Sequence, residues 1–302
     1  MTPVLIAGPT ASGKSALAMA VAARDGGVIV NADALQVYAC WQVLTARPTD
    51  AETAQAPHRL YGHVGARVPY STGRWLREVA AEIAAIEDAG QRPIIVGGTG
   101  LNFTALTDGL ADIPETPPEI RAEGNALMAR HGLAWFVEHL RITDPESLSR
   151  LDQNNPMRVQ RAWEVLQATG RGIAAWHSNT PPPILPLTDC VPIALTPRPE
   201  WLNARIAQRF AAMLDQGAVE EVRRWIEAGH DSALPAAKAI GRAEITDWLN
   251  GHLTREEVIE RGSIATRQYA KRQRTWIRNR FQAWQTLSPE DGLDAALARV
   301  PR

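Results

Sequence analysis

The segment LIAGPTASGKSALAM near the N-terminus constrains the fold of this chain more than any other stretch. Gly8, Gly13, Lys14 and Ser15 in it have the spacing of a phosphate-binding loop. The short apolar run before the loop reads as a buried strand, and the residues from Lys14 onward have helical spacing. A strand that enters a helix through such a loop predicts an α/β fold with a phosphate site, although the loop does not reveal which phosphate compound it holds.

The first half of the chain continues this alternation. The segments GVIVNAD and RPIIVGGTG read as two further strands, the first ending in a carboxylate and the second in glycines. Between them, a long apolar stripe begins after Ser71, a suitable N-cap, and stops at Gly90. Alternating strands and helices predict a parallel sheet with helices on both faces, and thus a P-loop NTPase-like core.

The alternation stops between Asp112 and Leu185, where the pattern is helical throughout. Proline clusters bracket this stretch, DIPETPPEI before it and NTPPPILP after it. A strand-like segment, CVPIALTP, follows, and the remainder is again helical in pattern. We therefore expect an inserted all-helical domain over residues 112–185 and a core formed by residues 1–111 and 186–302.

The bulk composition is that of a soluble protein in a reducing compartment. Charged residues make up 22% of the chain and the apolar runs are strand-length, so no membrane association is expected. The first strand begins within a few residues of the N-terminus, which leaves no room for a signal peptide. Cys40 and Cys190 are too isolated for a metal site or a disulfide framework. These features predict a cytoplasmic protein, and we expect it to be a monomer.

A basic stripe near the C-terminus contrasts with the net charge of −1, because seven basic residues and no acidic one lie between positions 261 and 280. Aromatic residues are interleaved with them. A basic stripe with stacking side chains is typical of polyanion binding. The alternative is a solvated helix face in an arginine-rich chain. The seven residues are Arg261, Arg267, Lys271, Arg272, Arg274, Arg278 and Arg280.

Polar residues follow the second and third strands at the same end of the predicted sheet. Asp33 ends the second strand, where it would act as a Walker-B-like metal ligand, a general base or an N-cap. Gln36 has an amide suited to reading a base edge, since an amide can donate and accept together. Thr99, flanked by glycines, either approaches a phosphate or forms a simple strand-to-helix turn. All three point to the rim where such folds bind ligands.

Several motifs occur in a characteristic order: GPTASGKSALA, NADALQVY, TARP, APHRL, VGGTGLNF, RIAQRF, KAIG and ATRQYAKRQRTW. Together they resemble the tRNA dimethylallyltransferase family, also called tRNA isopentenyltransferases, over almost the whole chain. The resemblance implies Mg²⁺-dependent transfer of a dimethylallyl group from dimethylallyl diphosphate to the exocyclic N6 amine of the adenosine immediately 3′ of the anticodon. It also implies that the loop holds the allylic diphosphate without ATP, and that the insertion helps to bind the anticodon stem-loop of tRNA.

The resemblance also assigns individual roles. It implies that Asp33 is the general base, that Thr99 lies near the reacting centre, and that Lys14 and Arg205 stabilise the diphosphate. The implied diphosphate loop is Gly8, Pro9, Thr10, Ala11, Ser12, Gly13, Lys14 and Ser15, with the Ser15 hydroxyl as the expected Mg²⁺ ligand. The implied tRNA contacts are Asp33, Ala34, Leu35, Gln36, Thr99, Arg121, Met157, Arg158, Val159, Gln160, Arg161, Lys238, Arg267, Lys271 and Arg272.

The chain departs from the family pattern at several positions. Ala34 replaces a usual serine, Asn155 a usual aspartate and Arg242 a common tyrosine, which puts fine contacts and tRNA preference in doubt but not the reaction. Two other functions stay open: a nucleotide or small-molecule kinase, and a nucleotide-gated RNA-binding module without chemistry. A kinase leaves the basic stripe unexplained. Asp33 argues against the module, because a carboxylate at a phosphate rim repels RNA unless it handles a metal or a proton.

Overall fold

The computed structural model describes residues 1–302 and divides the chain into two compact units. The larger unit contains Met1–Thr107 and Ile184–Arg302, and the smaller contains Asp108–Pro183. The smaller unit thus begins and ends a few residues before the boundaries expected from the proline clusters. No helix is both long enough and apolar enough to cross a membrane.

The larger unit is built on a six-stranded parallel sheet. Its strands are β1 (Val4–Ala7), β2 (Val28–Asn31), β3 (His58–Arg59), β4 (Pro93–Gly97), β5 (Val191–Leu195) and β6 (Gln285–Leu287). They lie in the order β3-β2-β4-β1-β5-β6, so β1 pairs with both β4 and β5 in the interior of the sheet. The predicted parallel sheet is confirmed, whereas the two short edge strands, β3 and β6, were not predicted.

Thirteen α-helices accompany the sheet. They are α1 (Lys14–Asp25), α2 (Asp50–Gln55), α3 (Thr72–Asp88), α4 (Gly100–Asp108), α5 (Pro118–Thr143), α6 (Pro145–Ser149), α7 (Pro156–Thr169), α8 (Ile173–His177), α9 (Pro199–Met213), α10 (Val219–Glu227), α11 (Arg242–Leu249), α12 (Arg255–Arg280) and α13 (Leu293–Ala298). A π-helical turn joins α9 to α10, and short 3-10 turns precede β5, α11 and α13.

Both faces of the sheet are covered, as the alternation of strands and helices predicts. Side chains of β1 alternate between two cores, with Leu5 and Ala7 in one and Val4 and Ile6 in the other. Helices α3, α4 and α12 contribute to the first core, and α1 and α13 to the second. A strand that is buried on both sides reads as a continuous apolar run, which is why β1 was recognisable from sequence.

Three loops meet at one edge of the sheet because its strands are parallel. The phosphate loop follows β1, Asp33 lies just beyond β2, and the glycine-rich residues 98–100 follow β4. Backbone hydrogen bonds hold the strand ends in register, with the N–H of Gly8 donating to the carbonyl of Gly97 at 3.3 Å. The rim predicted from the sequence therefore exists at the carboxyl ends of these strands.

The smaller unit contains α5–α8 around its own core, which includes Phe136, Leu140 and Trp163. Asn155 caps α7 through a side-chain bond to the backbone N–H three residues later. The helix ends at Gly170, whose φ of 66° is left-handed. Pro156 at the first helical position and Gly170 after the last one are a typical start and stop for a helix.

A buried carboxylate fixes the loop that precedes α2. Glu221 of α10 is 5% exposed and accepts the backbone N–H groups of Gln42, Val43 and Leu44 at 2.9, 2.8 and 3.0 Å. An ionised carboxylate with three N–H donors is well compensated for the loss of water. The loop that it holds forms one wall of the pocket described below.

We expect Glu221→Ala to lower the free energy of unfolding by about 3 kcal/mol, since three buried N–H groups lose their acceptor at roughly 1 kcal/mol or more each. Chemical denaturation measures the change. Glu220→Ala is the matched control, because Glu220 is exposed and its carboxylate makes only an i,i+3 ion pair with Arg223. Equal destabilisation by the two substitutions would contradict this account of the loop.

Candidate active site

The phosphate loop, residues 8–15, makes a tight turn between β1 and α1. Gly13 stands directly before α1 with a φ of 87°, and Ala11 also has a left-handed φ of 62°. Gly8 has no room for a side chain, because a Cβ there would lie 2.6 Å from the Ser12 hydroxyl. The first N–H groups of α1 lack intrahelical partners, and Ser15 is exposed beside them. This helix start is suited to an anion.

The amine of Lys14 is a poorly hydrated cation at the centre of this turn. Its Nζ lies 3.4 Å from the carbonyl oxygen of Pro9, a weak hydrogen bond. Burial lowers the pKa of Lys14 to about 8, because the charged form loses hydration. Nearby Asp33 raises this pKa in part, and Arg209 lowers it further. An arriving anion would restore the stabilisation that water no longer gives.

Asp33 has one oxygen engaged and one open. Oδ1 accepts the N–H of Leu35 at 2.9 Å, and the side-chain oxygen of Asn31 accepts the N–H of Asp33 at 2.8 Å. No helix starts here, since residues 34–46 form turns, so the N-cap alternative is wrong. Oδ2 makes no hydrogen bond to the protein, and Asp33 lines the same pocket as Lys14. A base and a metal ligand both require such a free oxygen.

Thr99 supports the turn that carries Asp33. Its Oγ1 accepts the N–H of Ala34 at 2.9 Å, and Tyr269 of α12 lies close to the same threonine side chain. Burial raises the pKa of Tyr269, and the charge of Asp33 raises it further, so the phenol stays protonated. Sequence reasoning missed Tyr269, although it lies within the recognised C-terminal motif.

Two arginines of α9 reach the phosphate loop, and the sequence analysis named only one of them. Arg205 is an exposed residue that donates from Nε to the carbonyl of Ala11 at 3.1 Å and stacks over Trp201. Arg209 is less exposed and donates to the Thr10 hydroxyl at 2.5 Å. Burial lowers the pKa of Arg209, as does the charge of Arg205. Their i,i+4 spacing places both on one helix face, a signal that could have identified Arg209.

The pocket beside Asp33 has an empty volume of about 740 Å³, including its open mouth. Lys14, Asp33 and Arg209 form its polar side. Its other side is apolar, formed by Leu44, Ile206, Phe210, Met213 and Ile240. The pocket therefore suits a ligand that has both an anionic part and an apolar part.

Gln36 also lines this pocket, but its amide is already in use. Its Nε2 donates to the carbonyls of Thr45 and Ala46, both at 2.8 Å. Both amide hydrogens are therefore engaged, and only Oε1 can accept from a ligand. The expectation that Gln36 donates and accepts together at a base edge is corrected to acceptance alone.

Gln273 of α12 ties two loops of the rim together, and sequence reasoning missed it. Its Oε1 accepts the N–H of Thr10, and its Nε2 donates to the carbonyl of Gly98, both at 2.9 Å. The side chain lies so close that a Cβ on Gly98 would be 2.1 Å from Nε2. Gly100 is similarly restricted by Trp276, at 2.2 Å. These contacts explain the glycines that follow β4.

The basic stripe on α12 divides between two faces of the helix. Tyr269, Gln273 and Trp276 approach the rim, and Arg272 lies 5.7 Å over the Tyr269 ring. A second row, spaced i, i+4, i+7 and i+11, lies on the opposite face and lines a separate groove with Asn203; this row is Arg267, Lys271, Arg274 and Arg278. None of these four makes an ion pair. Lys271 thus points away from the phosphate loop, and Lys238 is exposed before α11.

The remaining predicted tRNA contacts lie in the smaller unit. Met157 and Arg158 are exposed at the start of α7. Val159 is 0% exposed and packs in the core of this unit, so its side chain cannot reach RNA, which corrects that prediction. The other three predicted contacts lie around the buried carboxylate of Glu164; they are Arg121, Gln160 and Arg161.

Comparisons with known proteins identify relatives over nearly the full length. Residues 36–280 match the family model described as IPP transferase, and residues 1–65 match one described as isopentenyl transferase. A tRNA dimethylallyltransferase of Cereibacter sphaeroides is 57% identical over 282 residues, which covers 93% of this chain and 87% of that protein. One from Dinoroseobacter shibae is 55% identical over 288 residues, covering 95% of each.

Solved structures agree with this relationship. A tRNA isopentenylpyrophosphate transferase from Bacillus halodurans is 29% identical with a TM-score of 0.69, covering 98% of this chain and 93% of the other. A eukaryotic dimethylallyltransferase acting on tRNA is 28% identical with a TM-score of 0.78, covering 91% of this chain and 69% of that one. The fold described above is therefore shared with enzymes that modify tRNA.

The lowered pKa of Lys14 makes anion affinity depend on pH. Above about pH 8 the amine becomes neutral, so the affinity for inorganic diphosphate should fall by up to about tenfold from pH 7 to pH 9 through this group. Calorimetry in matched buffers measures it. Lys14→Ala should bind diphosphate more weakly and lose this part of the pH dependence. It should keep the part that comes from protonation of diphosphate itself. An identical pH slope in both proteins would exclude Lys14 as its source.

Proposed function

This chain belongs to the IPP transferase family, and we propose that it transfers the dimethylallyl group of dimethylallyl diphosphate to the N6 amine of the adenosine immediately 3′ of the anticodon in tRNA. One observation carries the proposal: a free carboxylate oxygen on Asp33 shares a pocket with the cations of Lys14 and Arg209 and an apolar wall. The cations suit the diphosphate, the wall suits the allyl chain, and the carboxylate suits the amine.

The residues of the pocket divide the chemistry between leaving group and nucleophile. Negative charge grows on the diphosphate as the allylic carbon–oxygen bond breaks, and Lys14, Arg209 and the start of α1 stabilise that charge. The adenine amine is a poor nucleophile because its lone pair is delocalised into the ring. Asp33 Oδ2 accepts the proton that this nitrogen loses as the new carbon–nitrogen bond forms. The adenosine must leave its stack to reach the pocket.

Mg²⁺ fits this site without a dedicated cage. No group of three or more acidic, histidine or cysteine side chains gathers in the chain. Mg²⁺ commonly takes one or two protein ligands and completes its shell with phosphate oxygens and water. Ser15, exposed at the first turn of α1 and lining the pocket, would hold it together with phosphate oxygens of the substrate. When bound, the ion neutralises charge on the diphosphate.

Several surfaces would contact the tRNA. The turn of Asp33 and Ala34 meets the target adenosine, and exposed cations of α12 and of the smaller unit meet backbone phosphates. We further propose that the enzyme acts as a monomer in the cytoplasm. Free thiols at Cys40 and Cys190 support a reducing compartment.

The decisive test uses tRNA and dimethylallyl diphosphate without ATP. Release of diphosphate together with a prenylated adenosine supports the transferase. Phosphoryl transfer from ATP, with no reaction of the allylic substrate, would favour a kinase. Binding of tRNA with neither reaction would favour an RNA-binding module.

Asp33→Asn tests the general base with little structural change, because an amide oxygen still accepts the N–H of Leu35. We expect kcat to fall by at least ~10²-fold, since a positioned base contributes about that much or more. Affinities for tRNA and dimethylallyl diphosphate should stay near those of the unmodified enzyme. Near-normal turnover at saturating substrates would remove Asp33 from this role.

Arg209→Ala and Arg205→Ala separate the two arginines of α9. Because Arg209 is the less hydrated cation beside Lys14, its loss should lower kcat/KM for dimethylallyl diphosphate by about 10²-fold, and the loss of exposed Arg205 by about tenfold or less. Steady-state kinetics at fixed tRNA measures both. The reverse order would return the principal diphosphate contact to Arg205, the residue named by the sequence resemblance.

A further inference from the structure

A carboxylate lies among the basic residues proposed to bind RNA in the smaller unit. Glu164 of α7 is 5% exposed. Its Oε2 lies 3.8 Å from a guanidinium nitrogen of Arg121 and 3.8 Å from one of Arg161. Its Oε1 accepts a hydrogen bond from the amide of Gln160 at 3.0 Å. One buried carboxylate is thus surrounded by three side chains for which the family resemblance implies contacts to tRNA.

Both arginines are partly exposed to solvent, and the part of each guanidinium group that faces the protein is held by the ion pair with Glu164. The side chain of Arg121 is 58% exposed and that of Arg161 34%, against 7% for Glu164. Arg161 also donates to the hydroxyl of Thr116. Burial lowers the pKa of Arg161, and the charge of Glu164 opposes that effect. The outer edges of both guanidinium groups remain available to a phosphate.

We propose that Glu164 is a positioning residue, which holds Arg121 and Arg161 side by side so that they bind phosphates of the RNA backbone; this inference rests on the proposed function. Two arginines that converge repel each other and, on their own, would separate into solvent. A buried carboxylate between them offsets the repulsion and limits the rotamers that RNA binding would otherwise have to select. The cluster keeps a net positive charge.

The proposal and simple electrostatics predict opposite signs for the same substitution. A carboxylate near RNA repels phosphate. If Glu164 acted on tRNA only through this repulsion, removing its charge should tighten tRNA binding. If Glu164 positions the arginines, removing its charge should weaken tRNA binding. The sign of the change therefore decides between them.

The experiment measures the dissociation constant of tRNA for Glu164→Gln at fixed ionic strength, by fluorescence anisotropy. We expect binding to weaken by about five- to tenfold, because the ion pairs that hold both guanidinium groups at 3.8 Å are lost. KM for tRNA should rise by a similar factor, while kcat and KM for dimethylallyl diphosphate stay unchanged. Glu138→Gln is the matched control, since it removes the same charge from an exposed pair with Arg141 in the same unit. It should leave affinity unchanged or slightly improved.

A double-mutant cycle separates positioning from folding. In an Arg121→Ala, Arg161→Ala background, Glu164→Gln should have little further effect on tRNA affinity. If Glu164→Gln fails to fold, Glu164→Asp, which keeps the charge but withdraws it by one methylene, should bind tRNA more weakly. A folded Gln or Asp variant that binds as tightly as the unmodified protein, or tighter, overturns the proposal. Because binding is measured without transfer, loss of the proposed reaction would be seen separately, as absence of product from the unmodified enzyme.

Discussion

The amide of Gln273 holds together the edge of the sheet on which the proposed chemistry depends. One side of the amide accepts from the phosphate loop at Thr10, and the other donates to the loop after β4 at Gly98. Both loops are irregular, so neither has a ladder of backbone hydrogen bonds to fix it. The helix that carries Gln273 also presents Tyr269 toward Thr99. A single helix thus sets the distance between the anion site and the turn of Asp33.

The charges at this edge are arranged in a way that favours binding over stability. Lys14 and Arg209 are both cations whose pKa values burial lowers, and they stand near each other. The nearby carboxylate of Asp33 offsets part of the repulsion but is not hydrogen bonded to either. Holding these charges in place costs folding free energy, and that free energy is recovered when an anion binds. The site is therefore built for a ligand with several negative charges.

Most of the architecture could be predicted from the sequence, because β1, β2 and β4 are continuous apolar runs that lead into recognisable loops. The strands β3 and β6 could not, since two or three residues at an edge carry no periodic pattern. Within the site, Lys14 was identified by the spacing of the phosphate loop and Asp33 by its position after a strand. Gln273 was not, because its partner Thr10 is 263 positions away and nothing local distinguishes it from a surface glutamine. Arg209 could have been identified as a second candidate from its spacing to Arg205, but the spacing does not indicate which of the two is less exposed.

The separation between Thr10 and Gln273 has a consequence for synthesis of the chain. The side chain that fixes the phosphate loop is made 263 residues after Thr10 of that loop. At about 5–20 residues per second, the loop waits roughly 15–50 s for its partner. For the larger part of that time the central strand β1 also lacks β5, which begins at Val191. A nascent chain therefore carries an incomplete phosphate site until Gln273 has been made, and the completed geometry of that site arises only then.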